Sequence, residues 1–315
     1  AVSGCPPHTS PAGHQIHAGC GPTLPESSRR RGQSPPASRV AAPKRPRRIT
    51  LEGKNKIVLQ DVLSGDVWLC SGQSNMEWPV SKAQNPADEA AAANYPRIRH
   101  FMVQKNPSLT VVADCIGKWE VCSPETVRDF SATAYFTGRE LERNLDVPIG
   151  LLVSAYGGTC VEAWTNWEDQ SEDPFALERK KTIDAKAEND TPEKAQAAYE
   201  KKLMAWNEAA IAVKAEKKRP PRKPLPPADP RLDKNYPSNL YKGMLQPLVP
   251  YAIKGVVWYQ GESNAKEVDS AFHYRIQLPR LIQHWRRDWG YDFPFFAVQL
   301  PEFKAPQEDP VESAD

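Results

Sequence analysis

Three short polar segments, each following an apolar run, carry the residues with the clearest chemistry in this sequence. The segments are CSGQSNM after Leu69, SAYGGT after Val153 and YQGESN after Trp258. Ser74 in the first supplies a hydroxyl nucleophile, and the paired Gly157 and Gly158 in the second let a backbone N–H approach a developing oxyanion. The side-chain amide of Gln260 or Asn264 in the third supplies a further donor. Together these groups provide what acyl transfer to a serine requires.

Each segment alone has a plainer interpretation. A serine between a strand and a helix is most often a helix cap, and paired glycines most often mark a tight turn. The functional interpretation depends on all three segments occurring in one chain and in this order. We therefore predict a partial hydrolase site.

The elements around the first two segments follow an alternating pattern. The run IVLQDVLSGDVWLCSG predicts two strands separated at Ser64 and Gly65, and Val67–Cys70 is apolar on both faces, which is typical of a central strand. The segment SATAYFTGRELERNL has apolar residues at helical spacing, with Ser131 as its N-cap. The continuous apolar run IGLLVSAYGG then predicts another strand.

The same order returns near the C-terminus. The run IKGVVWYQG predicts a strand, and SAFHYRIQLPRLIQHWRRDWG predicts a helix with a kink or restart near Gln277, because Pro279 removes a backbone donor. The run FPFFAVQL predicts a final strand. Strands that alternate with helices indicate an α/β domain with a mainly parallel sheet, and such sheets bind ligands beyond the carboxyl ends of their strands.

The first 50 residues differ in composition from the rest. They hold eight Lys or Arg residues against one acid, about +7, which leaves about −5 for the remainder. They contain nine prolines and no Phe, Tyr or Trp, so we expect a disordered basic segment. Such a segment could bind nucleic acid or an acidic membrane, but a solvated tail is the more ordinary interpretation, and we expect no nucleic-acid partner.

A second region lies outside the strand and helix alternation, at about 172–230. Glu172–Lys218 is rich in Ala, Glu and Lys, and Thr191 followed by Pro192 is a suitable helix start. The segment RPPRKPLPPADPR predicts an extended connector. We interpret the region as a charged surface insertion with a solvated face; covering the active site is the less ordinary alternative.

Cysteine usage and hydropathy limit the remaining classes. No window reaches the 18 or more apolar residues of a spanning helix, so we expect a soluble body and no membrane partner. The four cysteines after residue 50 match no zinc spacing and predict two or more buried free thiols, with a bridge from Cys115 to Cys122 as the alternative. We expect no metal and no cofactor.

The segments WLCSGQSNMEW, IGLLVSAYGGTCVEAW and VVWYQGESN closely resemble the sialate O-acetylesterase family, carbohydrate esterases within the SGNH-hydrolase group. The resemblance covers roughly Ile57 to Leu300 apart from the insertion, and it extends to the non-catalytic FSATAYFTGRELERNLDVPIGLL. It implies an SGNH-type esterase domain over 51–315. The implied fold is a flavodoxin-like three-layer α/β/α arrangement with a mainly parallel sheet, incomplete at the C-terminus. Family members also suggest a secreted or periplasmic location, although no signal peptide is visible here.

The resemblance assigns roles to particular residues. Ser74 matches the nucleophile, and its own N–H and that of Gly158 match two oxyanion donors. Gln260 is our choice for the third donor, with Asn264 as the alternative, because the asparagine that the SGNH group uses falls on Ser263. The possible substrate pocket comprises Gln73, Asn75, Glu262 and Asn264. Glu162 and Trp164, in CVEAW, match a family feature that we interpret as scaffold or pocket wall.

The sequence departs from the family at the catalytic base. Family members carry their catalytic Asp and His in a late Asp-x-x-His block, and no such block occurs in these 315 residues. A hydroxyl without a base is a poor nucleophile, so this is a gap in the chemistry. We expect none of the histidines present to replace the base, and we hypothesise an esterase cut before it. The histidines are His8, His14, His17, His100, His273 and His284.

The sequence therefore predicts a carboxylic ester hydrolase that removes O-acetyl groups from a carbohydrate by serine attack. Two alternatives share the fold: a catalytically inactive carbohydrate-binding remnant, and an enzyme with acetylxylan esterase-like activity. The acetylated sugar and the oligomeric state stay open at this stage, because selectivity depends on pocket walls that the sequence does not locate.

Overall fold

The computed structural model describes residues 45–215 and 221–301. Most of the basic segment, residues 1–44, lies outside this range. The first strand begins at Arg47, so the boundary expected at residue 50 falls inside a strand and moves towards the N-terminus.

Eight strands and six α-helices are present in the described residues. The strands are β1 (Arg47–Glu52), β2 (Lys56–Val62), β3 (Asp66–Gly72), β4 (Tyr95–Met102), β5 (Trp119–Cys122), β6 (Ile149–Ala155), β7 (Gly255–Tyr259) and β8 (Phe295–Ala297). The helices are α1 (Ser74–Glu77), α2 (Pro86–Ala92), α3 (Ala132–Leu145), α4 (Pro174–Asn189), α5 (Pro192–Ala215) and α6 (Val268–Trp289). Short 3₁₀ and π turns connect several of these elements.

The main sheet has six strands in the order β5-β4-β6-β3-β7-β8. All neighbouring pairs are parallel except β4 with the edge strand β5. Strand β3, the first strand of this sheet in the chain, lies between β6 and β7. The connection after β3 leads to β4 on one side of it, and the connection after β7 leads to β8 on the other, so the direction of the crossovers reverses between β3 and β7. Strands β1 and β2 form a separate antiparallel hairpin. The predicted α/β class with a mainly parallel sheet is confirmed.

Apolar side chains fill both faces of this sheet, as expected for parallel strands covered on two sides. Successive residues of β3 point in opposite directions, so Leu69 packs in the core beneath α6 and Cys70 packs in the core beneath α1 to α3. Helix α6 contributes Trp285 to the first core, and α3 contributes Tyr135 to the second. The result is three layers.

The parallel register brings the three polar segments to one edge. Gly72, the last residue of β3, lies opposite Ala155 of β6 and Tyr259 of β7. Because β6 and β7 flank β3, the turns that follow these three strands are neighbours in space. This is the topological switch point, where open α/β sheets bind their ligands.

Most local predictions agree with the structure. Ser131 caps α3 by accepting a hydrogen bond from the Ala134 N–H, as its position predicted. Pro279 does not interrupt α6, which runs through it without a restart, because the apolar face of the helix is held in the core on both sides of the proline. The run FPFFAVQL forms a strand of only three residues, Phe295–Ala297.

All four described cysteines are free thiols, so the predicted thiols are confirmed and the alternative bridge is wrong. Cys122 lies on β5 and is fully buried, whereas Cys115 lies in the loop before it. The two sulfurs therefore lie in different surroundings. Burial raises the pKa of Cys122 to about 12 and, together with the charge of Asp114, raises that of Cys115 to about 11.

The insertion is less uniform than its composition suggests. Helix α5 begins at Pro192 as predicted and exposes even Met204 and Ile211, which agrees with a solvated face. Helix α4 differs, because its N-cap Asp173 and its first-turn residue Ala176 are buried. Residues 221–229 have no regular secondary structure, in keeping with the predicted connector.

No described helix combines the length and the apolar character needed to cross a membrane. Across 45–215 and 221–301, no group of three or more His, Cys, Asp and Glu side chains is arranged to hold a metal ion.

The close approach of β3 and β7 at Gly72 leads to a testable expectation for stability. Gly72 has φ +143°, and a Cβ there would lie 2.0 Å from the Tyr259 carbonyl oxygen. Backbone strain and overpacking together predict that Gly72→Ala lowers the free energy of unfolding by ~3 kcal/mol or more. Urea unfolding measures the loss. Gly53→Ala is the matched control, because a Cβ at Gly53 meets nothing within 4 Å; equal midpoints for the two variants would contradict the expectation.

Candidate active site

The turn after β3 presents Ser74 to solvent. The Gln73 N–H donates to the Tyr259 carbonyl oxygen at 2.9 Å, which ties the turn to β7. Helix α1 starts at Ser74, and its third residue, Met76, is fully buried and anchors the short helix in the core. Ser74 itself is exposed. A buried strand thus ends in an anchored turn with one exposed hydroxyl.

The glycine turn after β6 lies directly against Ser74. The Tyr156 N–H donates to the Gly72 carbonyl oxygen at 3.1 Å, so the two turns are joined through their backbones. A Cβ placed on Gly157 would lie 3.4 Å from both Cα and Cβ of Ser74. Gly158 adopts φ +70°, which favours glycine. The sequence-predicted pairing of Ser74 with this glycine turn is therefore present in the fold.

Some backbone N–H groups in these turns donate hydrogen bonds within the fold, and others do not. The Gly157 N–H donates to Glu77 Oε2 at 2.5 Å, and this carboxylate also pairs with Lys105. Within the part of the chain that the structure describes, no hydrogen bond engages the N–H of Ser74 or of the exposed Gly158. These two N–H groups, both beside the Ser74 hydroxyl, are thus free to bind a ligand.

Gln260 lies near the site, but its amide is used internally. Its Nε2 donates to Asn264 Oδ1 at 2.8 Å and to the Thr159 carbonyl oxygen at 2.9 Å, which accounts for both amide protons. Its Oε1 accepts from the Tyr274 hydroxyl at 2.8 Å. This geometry argues against our choice of Gln260 as the third oxyanion donor, because the strand end buries the amide among acceptors of the fold.

Asn264 is equally committed. Its Nδ2 donates to Glu162 Oε2 at 3.1 Å, and its Oδ1 accepts from the Val161 N–H at 3.0 Å. The side chain is buried, and Asn264 contributes with Gln260 and Tyr274 to the lining of a cavity beside α6. Its amide is thus engaged within the fold, as that of Gln260 is.

Three further pocket candidates surround Ser74 in different ways. Gln73 is buried, and its Oε1 accepts from the Ser263 N–H at 3.3 Å. Asn75 is half-buried and donates from Nδ2 to Glu262 Oε1 at 2.6 Å. Burial raises the pKa of the Glu262 carboxyl, against the opposing effect of its own backbone N–H and of Asn75. Asn75 and Glu262 thus bridge the first and third turns beside Ser74.

Two lysines beside the glycine turn were missed by the sequence reasoning. Lys234 Nζ donates to the Gly157 carbonyl oxygen at 2.5 Å, and a Cβ on Gly158 would lie 2.9 Å from the same ammonium. Lys105 Nζ lies 4.5 Å from the centre of the Tyr156 ring, and Lys234 Nζ lies 5.2 Å from it. No motif includes either lysine, so only the fold reveals this cationic patch.

The described histidines are all committed to partners away from Ser74. His100 is buried on β4, stacks on Phe130 at 4.2 Å, and burial lowers its pKa to about 3. His273 Nε2 lies 2.7 Å from Asp173 Oδ2. His284 is fully buried, and its Nε2 lies 2.7 Å from Asp288 Oδ2.

Glu162 and Trp164 belong to the buried scaffold and not to an open pocket wall. Both lie in the 3₁₀ turn Val161–Trp164 that follows the glycine turn. The Trp164 indole N–H donates to Thr159 Oγ1 at 3.0 Å, and its ring meets that of Trp258 edge to face. The CVEAW segment is therefore part of the buried packing that follows the glycine turn.

In fold and in sequence the chain is similar to known carbohydrate acetylesterases. The crystal structure of a novel carbohydrate acetylesterase from Xanthomonas citri is similar, with 30% sequence identity and a TM-score of 0.59 over 80% of this chain and 45% of that one. A family model described as carbohydrate esterase, sialic acid-specific acetylesterase, matches residues 64–208 and 232–315. The chain belongs to this family, so the resemblance predicted from its motifs is confirmed.

Curated relatives agree with this assignment. Sialate O-acetylesterase of Mus musculus is 32% identical over 262 residues, covering 78% of this chain and 44% of the mouse protein. Sialate O-acetylesterase of Homo sapiens is 29% identical over 269 residues, covering 80% of this chain and 42% of the human protein. The chain spans less than half the length of these relatives. The family match includes α4 and part of α5 and omits residues 209–231, which overlap the C-terminal part of the predicted insertion at about 172–230.

The internal use of Gln260 can be tested through Tyr274. The Tyr274 hydroxyl donates to Gln260 Oε1 and accepts from Trp258 Nε1 at 2.9 Å. Tyr274→Phe leaves both buried groups without this partner, so the free energy of unfolding should fall by ~2 kcal/mol. Thermal and urea unfolding measure the change. Tyr251→Phe is the control, because Tyr251 is exposed; a Tyr274→Phe variant as stable as this control would contradict the network.

Proposed function

We propose that the protein hydrolyses acetyl esters on a carbohydrate, with Ser74 as the nucleophile. The observation that carries the proposal is the exposed Ser74 at the sheet edge, with the unengaged N–H groups of Ser74 and Gly158 beside it. Membership of the sialic acid-specific acetylesterase family supports the reaction class. The chain covers less than half of its curated relatives, so the activity of the whole protein is part of the proposal.

The proposed reaction has two steps. Ser74 Oγ attacks the acetyl carbonyl carbon, and its proton passes to a base. The carbonyl oxygen becomes an oxyanion that accepts hydrogen bonds from the Ser74 and Gly158 N–H groups. The bond to the sugar oxygen breaks, the sugar leaves as an alcohol with the transferred proton, and water then hydrolyses the acetyl-Ser74 ester to acetate.

The base is not assigned to any described histidine. His100 is buried and stacked, and His273 and His284 are held by Asp173 and Asp288. We therefore propose that proton transfer by Ser74 does not use these three side chains, which is consistent with the missing Asp-x-x-His motif. The alternative is a carbohydrate-binding protein that keeps the pocket without the chemistry.

Addition of imidazole as an external base tests Ser74 directly. With an O-acetylated sialic acid as substrate, imidazole should increase acetate release by the unaltered protein, and Ser74→Ala should return release to the rate without protein. Acetate is measured enzymatically over a range of imidazole concentrations. Ser81→Ala, which removes another exposed serine hydroxyl nearby, should behave like the unaltered protein.

Equal imidazole-dependent rates for the unaltered protein and Ser74→Ala would overturn the assignment of the nucleophile. Sugar binding without any Ser74-dependent acetate release would favour the carbohydrate-binding alternative. Release that needs no imidazole but needs Ser74 would show that a base is already present among these residues.

The lysines beside the site favour a sugar acid over a neutral sugar. Lys105 and Lys234 flank Tyr156 next to Gly158, and no ion pair of Lys234 with a carboxylate exists in 45–215 or 221–301. An ammonium without a carboxylate partner can receive the carboxylate of a bound sugar acid. We therefore propose O-acetylated sialic acid as the substrate class, ahead of acetylated xylan, which lacks that charge.

Replacement of Lys234 separates the two substrate classes. In a Ser74→Ala background, Lys234→Met should weaken binding of an O-acetylated sialic acid by about 10-fold and leave binding of an acetylated xylose unit unchanged. Isothermal titration measures both affinities. Lys254→Met is the matched control, since Lys254 is an exposed lysine just before β7, at the opposite end of the sheet. Loss of affinity for both sugars, or for neither, would remove the support for a sugar acid.

A further inference from the structure

A buried carboxylate lies between the site turns and the helix at the start of the insertion. The side chain of Glu162 has no solvent exposure. Its Oε2 accepts from Asn264 Nδ2, and its Oε1 accepts from Gln277 Nε2 at 3.3 Å. Arg179 of α4 lies 3.6 Å from Oε1 and is the one cation within ion-pair distance of it in the described ranges 45–215 and 221–301.

The hydrogen bonds from Glu162 continue to the nucleophile turn. Asn264 accepts from Gln260 Nε2, whose two protons go to Asn264 and Thr159. The link to the nucleophile turn is the N–H of Ser263, next to Asn264, which donates to Gln73 Oε1 at 3.3 Å, and Gln73 immediately precedes Ser74. A carboxylate can only accept hydrogen bonds, so Glu162 favours the orientation of the Asn264 amide that points Nδ2 towards it. That orientation turns Asn264 Oδ1 towards Gln260 Nε2 and thereby orients the Gln260 amide. The orientation agrees with the backbone groups of Val161 and Thr159.

Helix α4 is attached at a second point by the same kind of contact. Asp173, the buried N-cap of α4, binds His273 at 2.7 Å and Arg280 at 2.9 Å, both on α6. Gln277 Nε2 lies 3.3 Å from an oxygen of Asp173 and 3.3 Å from one of Glu162, so one amide links the two carboxylates. The start of the insertion is therefore fixed to the scaffold of the site by buried charge.

We propose that Glu162 is a positioning residue for the Ser74 turn, and that Arg179 of α4 supplies the counter-charge that makes its burial tolerable. The importance of the turn rests on the proposed role of Ser74; the connection itself does not. Removal of one partner of a buried ion pair leaves an uncompensated charge, whereas removal of both is often neutral. The pair thus couples a helix outside the α/β alternation to the catalytic edge of the sheet.

Amide hydrogen exchange tests the connection without requiring activity. Arg179→Met should speed exchange at least tenfold in peptides covering Gln73–Asn75 and Gly261–Asn264, because the uncompensated Glu162 disturbs the amides it holds. The double variant Arg179→Met with Glu162→Gln should restore protection to within about twofold of the unaltered protein. Lys180→Met is the control, since Lys180 pairs with Asp184 on its own helix.

A second measurement separates positioning from general stability. In the imidazole assay, Arg179→Met should lower kcat about tenfold with little change in KM. The double variant should recover it, because Glu162→Gln removes the unpaired charge and keeps a carbonyl oxygen that can accept from Asn264 Nδ2. If the unaltered protein shows no Ser74-dependent release, the proposed function fails while the exchange result still decides this inference. Unchanged exchange in Arg179→Met, or a double variant as disturbed as the single one, would overturn it.

Discussion

The backbone contact between β3 and β7 at Gly72 is the constraint on which the site depends. A side chain at this position would clash with the Tyr259 carbonyl oxygen. The absence of a side chain lets the two strands stay paired up to their last residues. The next residue, Gln73, then bonds back to Tyr259, and the Tyr156 N–H reaches the Gly72 carbonyl oxygen from the other side. Three strand ends are thus locked together before any side chain contributes. The location of Ser74 follows from this main-chain geometry.

The polar residues of the motifs divide into two groups. Gln73, Gln260 and Asn264 are buried and bond to one another and to the backbone, so they satisfy groups that the converging turns would otherwise leave unpaired. By contrast, the hydroxyl of the exposed Ser74 and the N–H groups of Ser74 and Gly158 engage in no hydrogen bond within the described ranges. Most amide side chains of these motifs therefore hold the turns in place. Donors that act on a ligand must be preorganised, and the surrounding hydrogen bonds fix the turns that carry them.

The sequence predicted those features that depend on local patterns. The strand at Val67–Cys70, the cap at Ser131 and the adjacency of the three polar turns follow from periodicity, capping chemistry and the geometry of parallel sheets. Other features depended on contacts between distant segments. The commitment of Gln260 to internal acceptors, the approach of Lys234 to Gly158 and the attachment of Arg179 to Glu162 each join residues from different turns and helices. The amino-acid composition of α4 indicates a charged helix, but only the fold shows which of its charged groups are buried.

The free thiols bear on how this fold responds to its surroundings. Cys70, Cys122 and Cys160 are buried, and burial raises the pKa of each to about 11 or 12. Since thiol–disulfide exchange proceeds through the thiolate, these sulfurs react slowly at neutral pH whether glutathione is mostly reduced or mostly oxidised. Within 45–215 and 221–301, the strands are therefore held together by packing and hydrogen bonds alone, with no covalent crosslink between them.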